Sequence, residues 1–368
     1  MWKLKLILPI ISVFLFSTFK SIGQDSIRSG SWLSATVHYG FILPIYTQDM
    51  NVLLTGHCPG IEVDYLNKPS GNQPWQLDYH YAETGLAFFY SSLGNPTQLG
   101  NELGLYPYIN FHLQRSARER LYLRAGLGLA YLPVIFNQQT NHKDILIGSH
   151  INAMINLRLA YHYYISNTLR LETGFGITHC SNGSFNTPNL GINLVTFNTG
   201  ISYCINEHKV LAHTPQPDTS DRSKLSQELY LGVGASKLEP PGGARYPATT
   251  LTYVMYHTLT KKSRIGGGID VFYNKANLVN IADDSIPIHS QIENVQVGLK
   301  AAYELMLWKL AFPMELGGYL YTKSTGHGYE YNRLGIRYNI TSHFIANVSL
   351  LAHYAAADYV EWGFGYKL

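Results

Sequence analysis

The sequence predicts an all-β protein: an antiparallel transmembrane β-barrel of roughly 12–16 strands. Three observations predict it. The chain reads as short alternating runs broken by turn residues. Charged residues make up only 14% of it, against roughly 25% in an ordinary soluble domain. Aromatics reach 13%, with 28 Tyr, while no stretch approaches the ~18 uninterrupted apolar residues of a membrane helix. An apolar exterior, a polar lumen and aromatic girdles produce this composition. A secreted β-sandwich is the competing class.

The N-terminus carries the pattern of a secretory leader. Lys3 and Lys5 precede an apolar run, Leu6 to Phe16, and Ser21-Ile22-Gly23 offers small residues at the first and third positions. Residues 1–23 are therefore read as a signal peptide outside the fold. The apolar run is too short to span a bilayer as a helix.

Candidate strands in the first half are Trp32–Leu43, Gly60–Tyr65, Trp75–Tyr90, Glu102–Gln114, Arg120–Leu132, Gly148–Ile165, Thr168–Cys180 and Gly191–Cys204. In the second half they are Leu229–Leu238, Ala248–Leu259, Arg264–Tyr273, Val295–Leu307, Leu310–Tyr321, Tyr329–Ile340, Phe344–Tyr354 and Tyr359–Leu368. Their typical length, near 10 residues, suits a tilted membrane strand.

Residues 24–206 form one half and residues 228–368 the other. Between them, residues 207–227 are polar and aperiodic and read as a linker or long turn. The halves look related. Tyr164-Ile165-Ser166-Asn167 precedes one late strand and Tyr338-Asn339-Ile340-Thr341-Ser342 another; Gly200-Ile201-Ser202-Tyr203 ends the first half and Gly363-Phe364-Gly365-Tyr366 the second. Duplication of an eight-strand unit and common barrel ancestry both give such similarity. A single large barrel, which buries every strand edge once, is the preferred arrangement. Two tandem eight-stranded barrels are the alternative.

The net charge of +3 is diffuse, and no basic block points to nucleic acid. Cys58, Cys180 and Cys204 lack metal-type spacing, and their odd number leaves open at most one bridge.

The segment most suggestive of chemistry is THCSNGSFNTPNLGINLVTFNTGISY, Thr178 to Tyr203. Residues i and i+2 of a strand share a face, so His179 and Ser181 can stand together as base and nucleophile. Leu169, Leu171, Phe175 and Ile177 share their face, while Arg170, Glu172, Gly174 and Gly176 lie opposite. That parity puts the pair on the lipid side, near the membrane boundary. Asn193, at the start of the next strand, projects outward beside them. By spacing alone, His179 reads equally as an interfacial side chain, and Ser181-Asn182 as a turn-forming pair.

His179-x-Ser181-Asn182-Gly183, then Pro188-Asn189-x-Gly191 and a strand ending in Gly200, resembles the lipid A 3-O-deacylase family, also called acyloxyacyl hydrolases. Weaker similarity extends over most of the first half. The eight-stranded family pattern does not cover the second half. The resemblance implies an outer-membrane barrel that hydrolyses an ester-linked 3-hydroxyacyl chain of lipid A in lipopolysaccharide, without a metal or organic cofactor. It implies Ser181 as nucleophile, His179 as general base, and Asn182 and Gly183 as oxyanion or substrate contacts. It also implies one departure: the family has a glutamate where this chain has Asn193. An amide oxygen can orient an imidazole but cannot stabilise imidazolium as a carboxylate does. The alternative function is a non-catalytic pore or structural barrel.

Other candidates are weaker. Arg170 and Glu172 read as a lumenal ion pair. Glu83 and Asp78 are placed on one strand but on opposite faces. His353 reads as a lone lumenal histidine, without a serine at the matching place. Gly266-Gly267-Gly268 lies inside a strand pattern with no helix after it, which is not a phosphate loop.

Overall fold

Strands adjacent in sequence pair antiparallel within each half of the chain, and each half closes its own ladder. The computed structural model describes residues 26–44, 50–211, 225–238, 241, 243–283, 287–324, 328–354 and 356–368. The expected signal peptide lies outside these residues, as does the central part of the expected linker.

The first barrel comprises β1 (Ser26–Ile42), β2 (Cys58–Lys68), β3 (Glu83–Ser92), β4 (Asn101–Arg115), β5 (Glu119–Tyr131), β6 (Ile151–Tyr164), β7 (Leu169–Ser181) and β8 (Ile192–Leu211). It closes through β1 and β8, in register from Ser26↔Leu211 to Ile42↔Leu194. The second comprises β9 (Leu225–Lys237), β10 (Arg245–Thr260), β11 (Ser263–Asn274), β12 (Val295–Leu307), β13 (Leu310–Tyr321), β14 (Glu330–Asn339), β15 (Phe344–His353) and β16 (Ala356–Lys367). It closes through β9 and β16.

The all-β barrel class and, among the described residues, the sixteen strands are as expected, but the preferred single barrel is not formed. The tandem alternative is the one realised. The physical reason is that β8 returns to β1 and leaves no edge for the second half to join. The ladders also run into the expected linker at both ends, to Leu211 and from Leu225. A second correction concerns Trp75–Tyr90. Pro74–Asp78 is a short helix and β3 begins only at Glu83, so Asp78 shares no strand with Glu83. Gly71-Asn72-Gln73-Pro74 is the turn signal that breaks the run.

Alternation sorts the side chains. In β6, Ile151, Ile155, Leu157 and Leu159 are exposed on the outside, while Asn152, Asn156, Arg158 and His162 are buried in the lumen. Tyr39, Phe41 and Tyr131 stand outward at one end of the first barrel, and Tyr65, Tyr161, Tyr163 and Tyr203 toward the other. This is an apolar band between two aromatic girdles.

Both lumens are filled by charged side chains in ion-pair networks. In the first barrel, Glu62 lies 2.9 Å from Arg124 and 2.7 Å from Arg158, and Arg170 lies 2.8 Å from Glu172 and 3.6 Å from Glu83. In the second, Glu315 meets Lys300 at 2.6 Å, Arg333 at 2.8 Å and Arg337 at 2.8 Å. Charges this deep persist because each is paired. His353 also faces its lumen, 3.0 Å from the Tyr319 hydroxyl. At one end the first lumen is capped by an apolar cluster that includes Ile42, Met50, Leu53, Leu99, Leu146, Ile192 and Leu194. This cap explains why Leu194 interrupts the polar face of β8. Cys58, Cys180 and Cys204 are free and buried.

The barrels touch at both ends. At one, the Tyr79 hydroxyl donates to the Met306 carbonyl at 2.6 Å. At the other, the loop after β7 meets β15 and β16 of the second barrel.

Candidate active site

The site forms where β7 and β8 reach the capped end. Thr178 and Cys180 point into the lumen and are buried, so Ile177, His179 and Ser181 point outward. In the ladder, His179 faces Asn193 on β8 and Ile155 on β6, and Ser181 faces Ala153. His179 Nδ1 lies 2.9 Å from Asn193 Oδ1, and His179 Nε2 lies 3.1 Å from Ser181 Oγ. An acceptor at Nδ1 places the ring proton there and leaves the Nε2 lone pair facing the serine hydroxyl. The three predicted residues are thus brought together in hydrogen-bonding sequence. Asn193 Nδ2 is buried and has no protein partner.

The loop over residues 182–191 is built by its own polar side chains. The Asn182 amide N–H donates to Asn189 Oδ1 at 3.0 Å, and Asn182 Nδ2 donates to Ser149 Oγ at 2.8 Å. Asn182 Oδ1 accepts from the Asn186 amide at 3.2 Å. The Gly191 amide donates to the Leu146 carbonyl at 3.0 Å, tying the loop to the long β5–β6 connection. In that connection Asp144 accepts from the amides of Leu146 and Ile147 at 3.0 and 3.3 Å. Burial pushes the Asp144 carboxyl up to about 7. Gly191 has φ +77°, and a Cβ there would lie 3.0 Å from His179 Cε1, so the close approach to the imidazole requires glycine.

Two expectations look different in three dimensions. Asn182 commits its backbone N–H to Asn189 and one side-chain N–H to Ser149, and Gly183 faces the second barrel. Sequence reading passed over Ser149, Asn186 and Asp144. Only Asn189 lay within the quoted motif, where an Asn after Pro is itself a turn signal.

Comparison with known proteins follows the same division. Residues 60–202 match the family model for lipid A 3-O-deacylase (PagL). Residues 225–368 match that for the acyloxyacyl hydrolase C-terminal domain. The chain belongs to the lipid A 3-O-deacylase family. Membership implies a lipid A deacylase, hence a hydrolase whose substrate class is lipid A of lipopolysaccharide. No curated protein matches the sequence. Among solved structures, Neisserial surface protein A is 10% identical, covering 48% of this chain and 97% of its own, with a TM-score of 0.34. The KdgM porin is 7% identical over 91% and 99%, with a TM-score of 0.19. A triple mutant of the Rhodopseudomonas blastica porin is 8% identical over 93% and 100%, at 0.17. The architecture described above rests on the hydrogen-bond ladders rather than on these scores. Within the deacylase family frame, the His179–Ser181 pair lies in the first of the two matched regions, and its loop is touched by the second.

Proposed function

We propose that this deacylase is an outer-membrane serine esterase that releases the ester-linked 3-hydroxyacyl chain from position 3 of lipid A, using Ser181, His179 and Asn193. The observation that carries the reading is the Asn193–His179–Ser181 hydrogen-bond sequence, at 2.9 and 3.1 Å, on an outward face.

Placement supports it. The connections at the site end, 43–57, 93–100, 132–150 and 182–191, are on average longer than 69–82, 116–118 and 165–168 at the other. Long loops face outward in outer-membrane barrels, so Ser181 sits at the outer-leaflet girdle, where lipopolysaccharide resides. Below it, Ile155, Leu157, Phe175 and Phe197 offer an exposed apolar surface along which an acyl chain can lie.

Ser181 Oγ attacks the ester carbonyl as His179 Nε2 takes its proton, a service worth about 10²–10⁴-fold. Asn193 Oδ1 keeps the ring in the reactive tautomer. The tetrahedral oxyanion needs donors. The Gly183 amide takes no part in the loop bonds above, and Asn182 can exchange Ser149 for the oxyanion. Collapse expels the sugar oxygen, which takes the proton from His179. Water then attacks the acyl-Ser181 ester with His179 again as base, freeing the hydroxy acid. No step calls for a cofactor. In this reading the first barrel carries the chemistry.

Mass spectrometry of lipid A treated with the protein tests this. The expected result is loss of one hydroxyacyl group, slowed by about 10⁴-fold or more in Ser181→Ala. Unchanged lipid A across several acylation types refutes it. Against the reading as a pore stands the ion-pair packing of both lumens.

A further inference from the structure

We infer that the second barrel positions the catalytic loop of the first, with Lys237 and the β16 backbone as its positioning groups; the inference rests on the esterase reading above. Each barrel closes its own ladder, so the second is not needed to complete the first. Contact between them nonetheless gathers on the residues after Ser181. Ser184 Oγ donates to the Ala357 carbonyl of β16 at 2.7 Å. Lys237 Nζ, at the end of β9, donates to Asn186 Oδ1 at 2.7 Å. The Arg245 guanidinium lies 4.1 Å from the Phe185 ring centroid. A Cβ on Gly183 would lie 2.5 Å from Val360 Cγ2 and 3.2 Å from Leu350 Cδ1, so the loop backbone is pressed against the second barrel.

The loop needs such support. Gly183 and Ser184 are consecutive left-handed residues, with φ +62° and +63°. Serine adopts that region at a cost, and its side chain is the one anchored to Ala357. The anchor reaches the chemistry through a short path. Lys237 holds Asn186, whose amide donates to Asn182 Oδ1, and Asn182 follows the nucleophile. A loose loop leaves the Asn182–Gly183 amides spread over several orientations, whereas the oxyanion needs them in one.

The full-length protein in detergent micelles, with lipid A as substrate, tests the inference through Lys237→Ala, Ser184→Ala and Lys237→Arg. In the alanine variants kcat should fall about five- to tenfold with KM within about twofold, and Lys237→Arg should recover most of the loss. Heat-modifiable migration of each variant establishes that the barrels are closed. A kcat equal to wild type in both alanine variants overturns the inference. Amide hydrogen exchange gives a readout independent of activity. Exchange at Asn182, Phe185 and Asn186 should accelerate in Lys237→Ala, and unchanged exchange overturns the inference whatever the activity. Inactive wild type with accelerated exchange would refute the esterase reading alone and uphold loop positioning.

Discussion

Replacing Asn193 probes the unusual member of the site most directly. Its Oδ1 accepts from His179 Nδ1 at 2.9 Å, while its buried Nδ2 has no protein partner. A neutral hydrogen bond contributes about 0.5–1.5 kcal/mol net, and one to a charged group about 1.5–3 kcal/mol. Asn193→Glu therefore gains about 1–1.5 kcal/mol when His179 becomes imidazolium in the transition state, or about tenfold in kcat. It also removes the orphaned donor. Asn193→Ala loses the bond and frees the ring to adopt the Nε2–H tautomer, which cannot take the serine proton, so kcat should fall about 10- to 100-fold. The assay is the initial rate of hydroxy acid release from lipid A micelles at saturating substrate, by mass spectrometry. An alanine variant within twofold of wild type, or a glutamate variant as slow as the alanine one, would refute the orienting role.

Three further outcomes are expected. Gly191→Ala forces a Cβ to 3.0 Å from His179 Cε1 at φ +77°; it should destabilise by about 1–2 kcal/mol and lower kcat about tenfold, read by thermal unfolding and rate. Arg333→Leu leaves Asp270, Glu315 and Glu361 short of their shared cation and should cost about 3–5 kcal/mol in urea unfolding from detergent. Asp144 gives a pH signature. Its folded carboxyl, up to about 7, lies above the unfolded value of 3.8, so the folded loop holds the proton more tightly and stability falls as pH rises between those values. The full span corresponds to about 4 kcal/mol. Proteolysis of residues 132–150 should quicken from pH 5 to pH 8, and Asp144→Asn should flatten the profile; an unchanged profile in that variant would count against this assignment.

Much of the fold was legible because a lipid-facing strand leaves a two-residue period in the sequence. The alternation of β7 gave its lumenal Arg170 and Glu172 and its outward Leu171 and Phe175 directly, and the spacing of His179 and Ser181 gave their shared face. Closure was not legible. Neighbour pairing within each half is the same in one sixteen-stranded barrel as in two eight-stranded ones; the single barrel would pair β8 with β9 and β1 with β16, where this chain pairs β1 with β8 and β9 with β16. The helix at Pro74–Asp78 was hidden by the aromatic run after it, although Pro74 marked the break. Leu194 looked like a flaw in the pattern because the apolar cap of the lumen is assembled from distant loops. The Asn193–His179–Ser181 hydrogen-bond sequence needed only one strand and its neighbour. The surroundings of Gly183 needed a surface contributed more than 150 residues later, at Leu350 and Val360.

The ladder closing the second barrel has a further consequence. It runs only from Glu361↔Gly234 to Lys367↔Glu228, whereas β16 begins at Ala356. From Val360 back to Ala356 the backbone ladder gives way to side-chain contact, with Ser236 Oγ of β9 donating to Asp358 Oδ1 at 2.9 Å. Ala357, in that stretch, gives its carbonyl to Ser184. The loop after β7 therefore adds a second fastening where the backbone ladder of the seam stops, and the benefit is mutual. By thermodynamic reciprocity, whatever orders the loop, a bound acyl chain included, also tightens the seam of the neighbouring barrel.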